Sequence, residues 1–315
     1  MFRRRWTRRD RTGRVPSRAL ITGFTGQDGS YLAEQLAARG DDVIGVTRAD
    51  APLADHAALR RAVTEAAPDL VFHLAAPTFV PSSWDNPEQV LGEIAGATSA
   101  LLDACAALAT PPRVFVASSA EIFGDAGESP LSEQSPKRPR SPYGEAKLAA
   151  HEAVSAARNE GLYAVSGILF NHESPRRPQH FLPRKVTRGA AAIALGLEDE
   201  LVLGSQDAVR DWSHAADIMR GAALSPEADE PQDYVLASGI GHTVAQLVEA
   251  AFDAADVAPE RRNVRVDPEF VRPPEEFPPI GDATRAREVL GWQPQIGFEE
   301  LIAEMVAADL AALRG

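Results

Sequence analysis

A tyrosine and a lysine four residues apart are the pair in this sequence best placed for proton transfer. They are Tyr143 and Lys147, in the segment Ser141-Pro142-Tyr143-Gly144-Glu145-Ala146-Lys147. On a helix, residues at this spacing share one face. A free phenol has a pKa of about 10, and a neighbouring ammonium group lowers that pKa by stabilising the phenolate. The pair could therefore take a proton from a substrate hydroxyl, although Tyr/Lys pairs at this spacing also occur by chance.

A serine and a glutamate upstream of the pair extend this chemistry. Ser118 and Ser119 follow residues 113–117, an apolar run that predicts a buried strand, and a hydroxyl there can hydrogen-bond a reacting oxygen. Oxidising an alcohol requires no carboxylate, whereas eliminating water next to a new ketone requires a base for the adjacent carbon-bound proton. We therefore assign Ser119 and Glu121 as catalytic candidates. The alternative for Glu121 is a solvated loop glutamate.

Three glycines at regular spacing predict a dinucleotide site. The segment Thr22-Gly23-Phe24-Thr25-Gly26-Gln27-Asp28-Gly29 follows a predicted strand and precedes a predicted helix. Gly23 permits the tight turn, Gly26 lets the backbone approach a pyrophosphate, and Gly29 allows the helix to pack closely on the sheet. The N–H groups of the helix N-terminus then face the phosphates. We expect NADP or NAD to contact Gly23, Thr25, Gly26, Gln27, Asp28 and Gly29.

The end of the second predicted strand bears on the choice between the two cofactors. The chain there reads Gly45-Val46-Thr47-Arg48-Ala49-Asp50. An arginine pairs with the 2′-phosphate of NADP, while an acidic residue accepts hydrogen bonds from the ribose hydroxyls of NAD. Arg48 therefore favours NADP, and Asp50 keeps NAD open.

Alternating apolar runs and helical patterns predict a doubly wound α/β fold of the Rossmann type. The predicted strands are residues 18–22, 42–46, 70–74, 113–117 and 163–169, and the predicted helices are residues 31–38, 55–66, 95–109 and 143–160. This alternation indicates a parallel sheet covered by helices on both faces. After Asn171 the alternation fades and loops dominate. We therefore expect an NAD(P)-binding domain at residues 18–170. A smaller α/β substrate lobe would follow at residues 171–315, with some of its strands and helices returning to the Rossmann domain.

Composition and charge exclude several classes of protein. The 315-residue chain has a formal net charge of -13, whereas a nucleic-acid-binding protein presents a basic face. No apolar run reaches the roughly 20 residues of a membrane span, and the single cysteine, Cys105, allows no intrachain disulfide. The seven histidines include no pair at helical spacing with a carboxylate partner, so no metal site is expected. We expect a cytoplasmic enzyme. The Arg-rich residues 1–17 are expected to be a disordered extension or an over-long start, with contact to an anionic partner as the alternative.

From Arg18 to its end, the chain resembles the extended short-chain dehydrogenase/reductase family and, within it, the GDP-mannose 4,6-dehydratases. The segments that carry the resemblance are the glycine turn with Gln27 and Asp28, residues 170–177 (Phe-Asn-His-Glu-Ser-Pro-Arg-Arg), residues 210–217 (Arg-Asp-Trp-Ser-His-Ala-Ala-Asp), residues 272–275 (Arg-Pro-Pro-Glu) and Gly291-Trp292.

The resemblance implies roles for individual residues. Ser119 stands where the family has a threonine that contacts the sugar hydroxyl, and Glu121, Tyr143 and Lys147 match its base, its redox tyrosine and its ribose-binding lysine. The implied cofactor contacts beyond the glycine turn are Arg48, Leu53, Leu74, Ala75, Ala76, Tyr143, Lys147, His172 and Arg177. The implied substrate contacts are Ser83, Asn171, Lys185, Arg210, Arg272 and Glu275, whose cationic members suit a diphosphate.

The chain also departs from the family pattern. It runs from Arg48 directly to Pro52, without a long family segment whose paired arginines reach the cofactor and help to build a tetramer. Pro52-Leu53 stands in place of an Asp-Leu pair, Gln89 in place of a tyrosine, and Pro178 in place of a glycine. We therefore expect a homodimer formed through a helix bundle.

The activity implied by the resemblance is redox-neutral conversion of GDP-mannose to GDP-4-keto-6-deoxymannose. Three alternatives remain. One is a reductase of GDP-4-keto-6-deoxymannose, suggested by the short connection after the second strand and by residues 236–242. Another is an epimerase or dehydratase of a different nucleotide sugar. The third is a non-catalytic protein that senses the cofactor, which the intact Ser119, Tyr143 and Lys147 set argues against.

Overall fold

The computed structural model describes residues 16–268 and 276–315. Its strands are β1 (Arg18–Thr22), β2 (Asp42–Val46), β3 (Leu70–His73), β4 (Arg113–Ser119), β5 (Ala164–Leu169), β6 (Asn171–Glu173), β7 (Leu201–Leu203), β8 (Val209–His214), β9 (Tyr234–Leu236), β10 (Gly241–Thr243) and β11 (Val264–Val266). Its α-helices are α1 (Gln27–Ala38), α2 (His56–Ala66), α3 (Pro87–Leu91), α4 (Ala97–Ala106), α5 (Pro142–Asn159), α6 (Leu182–Ala194), α7 (Ala215–Leu224), α8 (Val244–Ala254), α9 (Thr284–Leu290) and α10 (Phe298–Arg314). The Arg-rich extension predicted at residues 1–17 lies almost wholly outside the described residues, as do Arg272 and Glu275.

Six strands of the described chain form one sheet, in the order β2-β1-β3-β4-β5-β9. β1 pairs in parallel with β2 and with β3, and β3 pairs in parallel with β4. Ala19, Leu20 and Ile21 are successive residues of β1 and all are fully buried, which is the pattern of a strand covered on both faces. The predicted doubly wound α/β fold is confirmed. The carboxyl ends of β1, β3 and β4 meet at one edge of this sheet, the position where such folds bind ligands.

The described chain divides into two compact units, each drawn from three segments. The first unit contains the chain up to Ile122, Pro139–Gly167 and Ala222–Tyr234, and the second contains Phe123–Arg138, Ile168–Gly221 and Val235–Gly315. In the first unit, apolar residues of the strands pack against those of α2, α4 and α5.

The second unit contains two small sheets and a separate apolar core. β10, β8 and β6 form a three-stranded sheet, and β11 pairs with β7. α6, α8 and α10 pack on one another, with Trp212 of β8 and Phe298 of α10 stacked at 6.0 Å between ring centres. Within the described ranges, none of the helices has the length and apolar character needed to cross a bilayer.

A π-helical turn at Gly92–Gly96 joins α3 to α4, so residues 87–106 form one helix. His56, the first residue of α2, lies against this turn. Its Nε2 is 3.2 Å from the Gly92 carbonyl oxygen, and a Cβ on Gly96 would lie 2.8 Å from its Cε1. A π turn disturbs the regular ladder of helix hydrogen bonds, and an inserted polar side chain can bond a displaced carbonyl. His56 therefore stabilises the distorted turn.

Two helices begin earlier than the sequence predicts. α1 begins at Gln27 rather than at residue 31, and the helix predicted at residues 95–109 begins at Pro87. Asn86 caps this second helix, because its Oδ1 accepts from the Gln89 amide at 3.2 Å, and Pro87 occupies the first helical position, where proline is well tolerated. Gly29 lies in the first turn of α1, and Gly92 lies in the second turn of the helix that begins at Pro87. Because glycine lowers helix propensity, the sequence predicts both helices to begin after these residues.

Candidate active site

The turn between β1 and α1 requires glycine at two positions. Gly23 has φ +72°, and a Cβ there would lie 2.9 Å from the Ala75 amide nitrogen. A Cβ on Gly29 would lie 2.3 Å from the Gly23 carbonyl oxygen. Because these contacts are too short for any side chain, the turn packs backbone against backbone on α1 and on the end of β3. Thr25 and Gly26, between the two tight contacts, are exposed.

A buried threonine–histidine pair lies where β1 and β3 end. Thr22 Oγ1 is 2.7 Å from His73 Nδ1 and accepts from the Ala75 amide at 3.3 Å. The hydroxyl proton then goes to Nδ1, so we assign the ring proton of His73 to Nε2. Burial, aided by the nearby charge of Lys147, lowers the pKa of His73 to about 3, and the ring is neutral near pH 7. The pair holds Leu74–Ala76, three predicted cofactor contacts, beside the glycine turn.

Lys147 is a buried cation on α5. It is 6% exposed, and its Nζ donates to the Ala117 carbonyl at 2.7 Å. Its Nζ lies 5.9 Å from the centre of the Tyr143 ring. Burial lowers the pKa of Lys147 to about 8, and the opposite charge of Asp28 acts against that shift. The structure thus brings the predicted tyrosine–lysine pair together on one helix face.

Tyr143 is 7% exposed and packs against apolar side chains of the helix at residues 87–106. These side chains are Val90 of α3 and Ile94 of the π turn. Ser141 caps α5, because its Oγ accepts from the Gly144 amide at 3.1 Å. The cap fixes the first turn of α5, which carries the phenol.

Ser119 and Glu121 lie where β4 ends and in the 3-10 turn that follows, Ala120–Ile122. The Glu121 amide donates to Ser119 Oγ at 3.2 Å, which ties the two residues together. The Glu121 residue is exposed, and its carbonyl faces Gly144 of α5. All four predicted catalytic residues therefore lie in the first unit, where the end of β4 meets the start of α5.

In the turn after β2, Arg48 is exposed and Asp50 is hydrogen-bonded within the turn. Asp50 Oδ2 accepts from the Thr47 amide at 2.9 Å and from the Thr47 hydroxyl at 2.6 Å, and these hydrogen bonds lower the pKa of Asp50. Arg48 is exposed, with no hydrogen-bond or ion-pair partner within residues 16–268 and 276–315. Leu53 is half-buried and packs on the core of the first unit. The Asp50 carboxylate thus stabilises the turn, while the Arg48 guanidinium faces solvent.

These features fit a dinucleotide. α1 has 12 residues, and its N-cap Gly26 brings no side chain to the amide groups of the first turn, which leaves a helix N-terminus suited to a diphosphate. At the end of β4, Ser118 is 5% exposed, and its Oγ has no hydrogen-bond partner among the described residues. Buried hydroxyls normally have a partner, and a polar group of a bound cofactor can supply it.

In the second unit, two predicted cofactor contacts flank one turn. His172 Nδ1 donates to the Phe170 carbonyl at 2.7 Å. Arg177 Nε lies 3.1 Å from Oε2 of the buried Glu173, an ion pair whose atoms are not aligned for a hydrogen bond. The Arg177 guanidinium also stacks 3.6 Å from the centre of the Phe181 ring. Both predicted residues are therefore held in defined orientations.

The predicted substrate contacts are distributed over both units. Ser83, in the first unit, is 2% exposed, and its Oγ donates to a main-chain carbonyl three residues earlier at 2.6 Å. In the second unit, Asn171 and Lys185 are exposed and Arg210 is half-buried. The hydroxyl of Ser83 is thus bonded within its own turn, which the sequence does not indicate.

Metal ligands and reactive thiols do not stand out in the part of the chain that the structure describes. There, no group of three or more His, Cys, Asp or Glu side chains is arranged to hold a metal ion. Burial raises the pKa of the Cys105 thiol to about 12, so this cysteine is a poor nucleophile near neutral pH.

The doubly wound parallel sheet, the glycine turn after β1, and the serine and tyrosine–lysine pair at the sheet's carboxyl edge place the chain among Rossmann enzymes of the short-chain dehydrogenase/reductase class. A family model described as GDP-mannose 4,6 dehydratase matches residues 20–53 and 49–305. The chain therefore belongs to the GDP-mannose 4,6-dehydratase family. The two matched stretches meet at residues 49–53, in the connection that the sequence predicts to be shortened.

Curated relatives match the chain along most of its length. The GDP-mannose 4,6-dehydratase of Sinorhizobium fredii is 39% identical over 342 residues, covering 94% of this chain and 97% of the relative. The GDP-mannose 4,6 dehydratase of Homo sapiens is 36% identical over 348 residues, covering 96% of this chain and 94% of the relative.

Solved structures share the fold. RMD from Pseudomonas aeruginosa, complexed with NADPH, has a TM-score of 0.84 at 25% identity, covering 94% of this chain and 99% of that one. UDP-glucose 4-epimerase from Thermus thermophilus, in complex with NAD, has a TM-score of 0.81 at 28% identity with the same coverage.

Reasoning from the sequence did not single out Gly144. The sequence signal was a glycine inside a helical pattern, at a position where alanine would favour the helix. The structure supplies a reason for it, because a Cβ on Gly144 would lie 2.7 Å from the Glu121 carbonyl oxygen.

Proposed function

We propose that this protein is an NADP-dependent dehydratase that converts GDP-mannose to GDP-4-keto-6-deoxymannose and water. The observation that carries the proposal is the position of Glu121. The Glu121 residue is exposed and tied to Ser119, and its backbone meets the helix that carries Tyr143. A simple alcohol dehydrogenase needs the hydroxyl, the phenol and the lysine, whereas the additional carboxylate suits removal of a carbon-bound proton.

Tyr143 takes the proton of the carbon-4 hydroxyl as that carbon is oxidised to a ketone. The buried ammonium of Lys147 stabilises the phenolate form of Tyr143, and Ser119 donates a hydrogen bond to the reacting oxygen. When bound, the nicotinamide acts as a temporary hydride store between carbon 4 and carbon 6, so that the cycle consumes no reductant.

Glu121 removes the proton from carbon 5, which the new ketone at carbon 4 has acidified. The carbon–oxygen bond at carbon 6 then breaks, and Glu121 passes its proton to the departing hydroxide, which leaves as water. A proton returned to carbon 5 balances the one taken from the carbon-4 hydroxyl. The overall change is loss of one water with no net oxidation or reduction.

The turn after β2 supports NADP rather than NAD. Two hydrogen bonds from Thr47 reach Asp50 Oδ2 and tie the carboxylate to its own turn, which leaves its Oδ1 to accept from ribose hydroxyls. The exposed Arg48 guanidinium can pair with a 2′-phosphate, and hydrogen bonds to charged groups contribute about 1.5–3 kcal/mol. His172 and Arg177 of the second unit are further proposed cofactor contacts.

The proposed ligands of the GDP-sugar are Ser83, Asn171, Lys185, Arg210, Arg272 and Glu275. In this group the cationic side chains suit the diphosphate and Glu275 suits ribose hydroxyls. A homodimer and a cytoplasmic location are also part of the proposal. They rest on the shortened connection after β2, the acidic composition and the lack of any possible intrachain disulfide.

The test is mass spectrometry of GDP-mannose incubated with the purified protein and catalytic NADP, and in parallel with NAD. We expect loss of one water without added reductant, and faster with NADP. Glu121→Gln should slow water loss by about 10²–10⁴-fold, the usual contribution of a positioned base, while cofactor reduction remains detectable. Glu145→Gln, an exposed glutamate of α5, is the matched control and should act at the parent rate.

Two results would reject this assignment. If GDP-mannose is left unchanged while GDP-4-keto-6-deoxymannose is reduced with NADPH consumed in proportion, the protein is a reductase. If Glu121→Gln dehydrates GDP-mannose as fast as the parent protein, Glu121 is not the base.

A further inference from the structure

Gly144 lies at a tight contact between the two segments that carry the proposed catalytic groups. A Cβ on Gly144 would lie 2.7 Å from the Glu121 carbonyl oxygen and 3.0 Å from Pro139 Cβ. Cβ atoms in proteins essentially never approach another heavy atom closer than 3.0 Å. A carbonyl oxygen and a proline ring cannot swing aside as a flexible side chain can, so an added methyl group would push the segments apart.

Each side of this contact is anchored elsewhere. The Glu121 amide donates to Ser119 Oγ at 3.2 Å, and the next residue, Ile122, is fully buried. The Gly144 amide donates to the Ser141 cap at 3.1 Å. Tyr143 is the residue before Gly144 and is fixed in the same helical turn. The separation at Gly144 therefore determines how near Ser119 and Glu121 lie to the phenol of Tyr143.

Backbone conformation gives no other reason for glycine here. Gly144 is helical and is not among the glycines with a positive φ. In a helix, alanine is more stable than glycine, so the close contact with the Glu121 segment, rather than backbone conformation, accounts for glycine at this position. We infer that Gly144 is a positioning residue for the elimination step, because its missing side chain sets the distance between the Glu121 base and Tyr143.

This inference rests on the proposed function of Glu121, and Gly144→Ala tests it. The matched control is Gly92→Ala, because Gly92 is also helical and a Cβ there meets nothing within 4 Å. Gly144→Ala should keep cooperative unfolding and the parent KM for GDP-mannose. The kcat for water loss should fall by about 3–10-fold, because misplacing reacting groups by about 1 Å costs about 100-fold and the displacement expected here is smaller.

Two further readouts separate positioning from a general loss of function. Mixing Gly144→Ala with GDP-mannose and NADP should build up reduced nicotinamide, because oxidation by Tyr143 continues while elimination slows. A crystal structure of the variant should show the Glu121 carbonyl displaced by a few tenths of an ångström or more, with no displacement in Gly92→Ala.

The inference is wrong if Gly144→Ala dehydrates at the parent rate, or if cofactor reduction falls in parallel with water loss. It is also wrong if the Glu121 carbonyl keeps its place in the crystal structure. Should the parent protein itself produce no 4-keto sugar, the proposed function fails instead, and the displacement in the variant crystal still decides whether Gly144 sets this distance.

Discussion

Lys147 is a buried cation whose charge depends on pH close to neutrality. Its Nζ is removed from water and donates to the Ala117 carbonyl, and burial lowers its pKa from 10.5 to about 8. Below that pH the ammonium can stabilise the phenolate of Tyr143, and above it the charge is lost. The residue proposed to support catalysis would therefore also limit it on the alkaline side.

We predict that kcat falls as the pH rises through about 8, as measured by the pH profile of water loss from GDP-mannose. The stability effect has the opposite sign. Between about 8 and 10.5 the unfolded chain binds more protons at this site than the folded chain, so the free energy of unfolding contributed by Lys147 rises with pH.

Urea unfolding across this pH range should therefore show an upward slope that Lys147→Met removes and Lys137→Met keeps. A kcat that stays constant up to the ordinary lysine pKa of 10.5 would contradict this account of Lys147.

At the scale of elements, the π turn at Gly92–Gly96 lies between α2 and α5, the helix that carries Tyr143, and contacts both. His56 at the start of α2 bonds the Gly92 carbonyl, and Ile94 of the same turn packs against Tyr143. π turns are frequent at functional sites because they change which side chains a helix presents. Here the turn contributes to the apolar wall beside the phenol.

Gly96→Ala should lower the free energy of unfolding by about 1–3 kcal/mol, because its methyl group would overlap the His56 ring. In a His56→Ala background the ring is absent, and the same change should be neutral or stabilising, since alanine favours a helix. Urea unfolding of the two single variants and the double variant measures this coupling. Equal effects of Gly96→Ala in both backgrounds would show that the ring and the turn are not in contact.

Elements with strong local signals were predictable, and those set by long-range contacts were not. β1 matches its prediction at both ends, since it is a short apolar run followed directly by a turn. Four residues, Ser119, Glu121, Tyr143 and Lys147, were predicted as a catalytic group, and the structure brings them together in one unit. Glycine is needed at position 96 because of the His56 ring, and at position 144 because of the Glu121 carbonyl. His56 and Glu121 are distant in sequence from these glycines, so no local pattern could reveal the contacts.

At the scale of the whole molecule, the two units are interleaved in sequence. Ala222–Tyr234 belongs to the first unit although residues 168–221 belong to the second. Arg113 of β4 donates to the Pro226 carbonyl at 2.7 Å and to the Ala228 carbonyl at 3.0 Å. Tyr163 also donates to the Ala228 carbonyl, at 2.6 Å. The segment is therefore bonded to the first unit at several points.

A fragment of residues 16–170 should not fold as a stable domain, because it lacks this segment. Arg158 would lose its ion pair with Asp233, and the edge beyond β5 would lose β9. We expect weak, non-cooperative thermal unfolding by circular dichroism, against one sharp transition for residues 16–315 as the control. A cooperative transition of the fragment within a few degrees of the longer chain would show that the segment is dispensable.

The interleaving also has a consequence during translation. A ribosome synthesises the chain from its N-terminus. The last segment of the first unit, Ala222–Tyr234, therefore emerges only after residues 168–221 have left the exit tunnel. The early β-α-β segments therefore lack the contacts made by residues 222–234 until more than two thirds of the polypeptide has been made. Neither half of the enzyme can mature long before the other, so a nascent chain stalled before Tyr234 would present unfinished surfaces to chaperones and proteases.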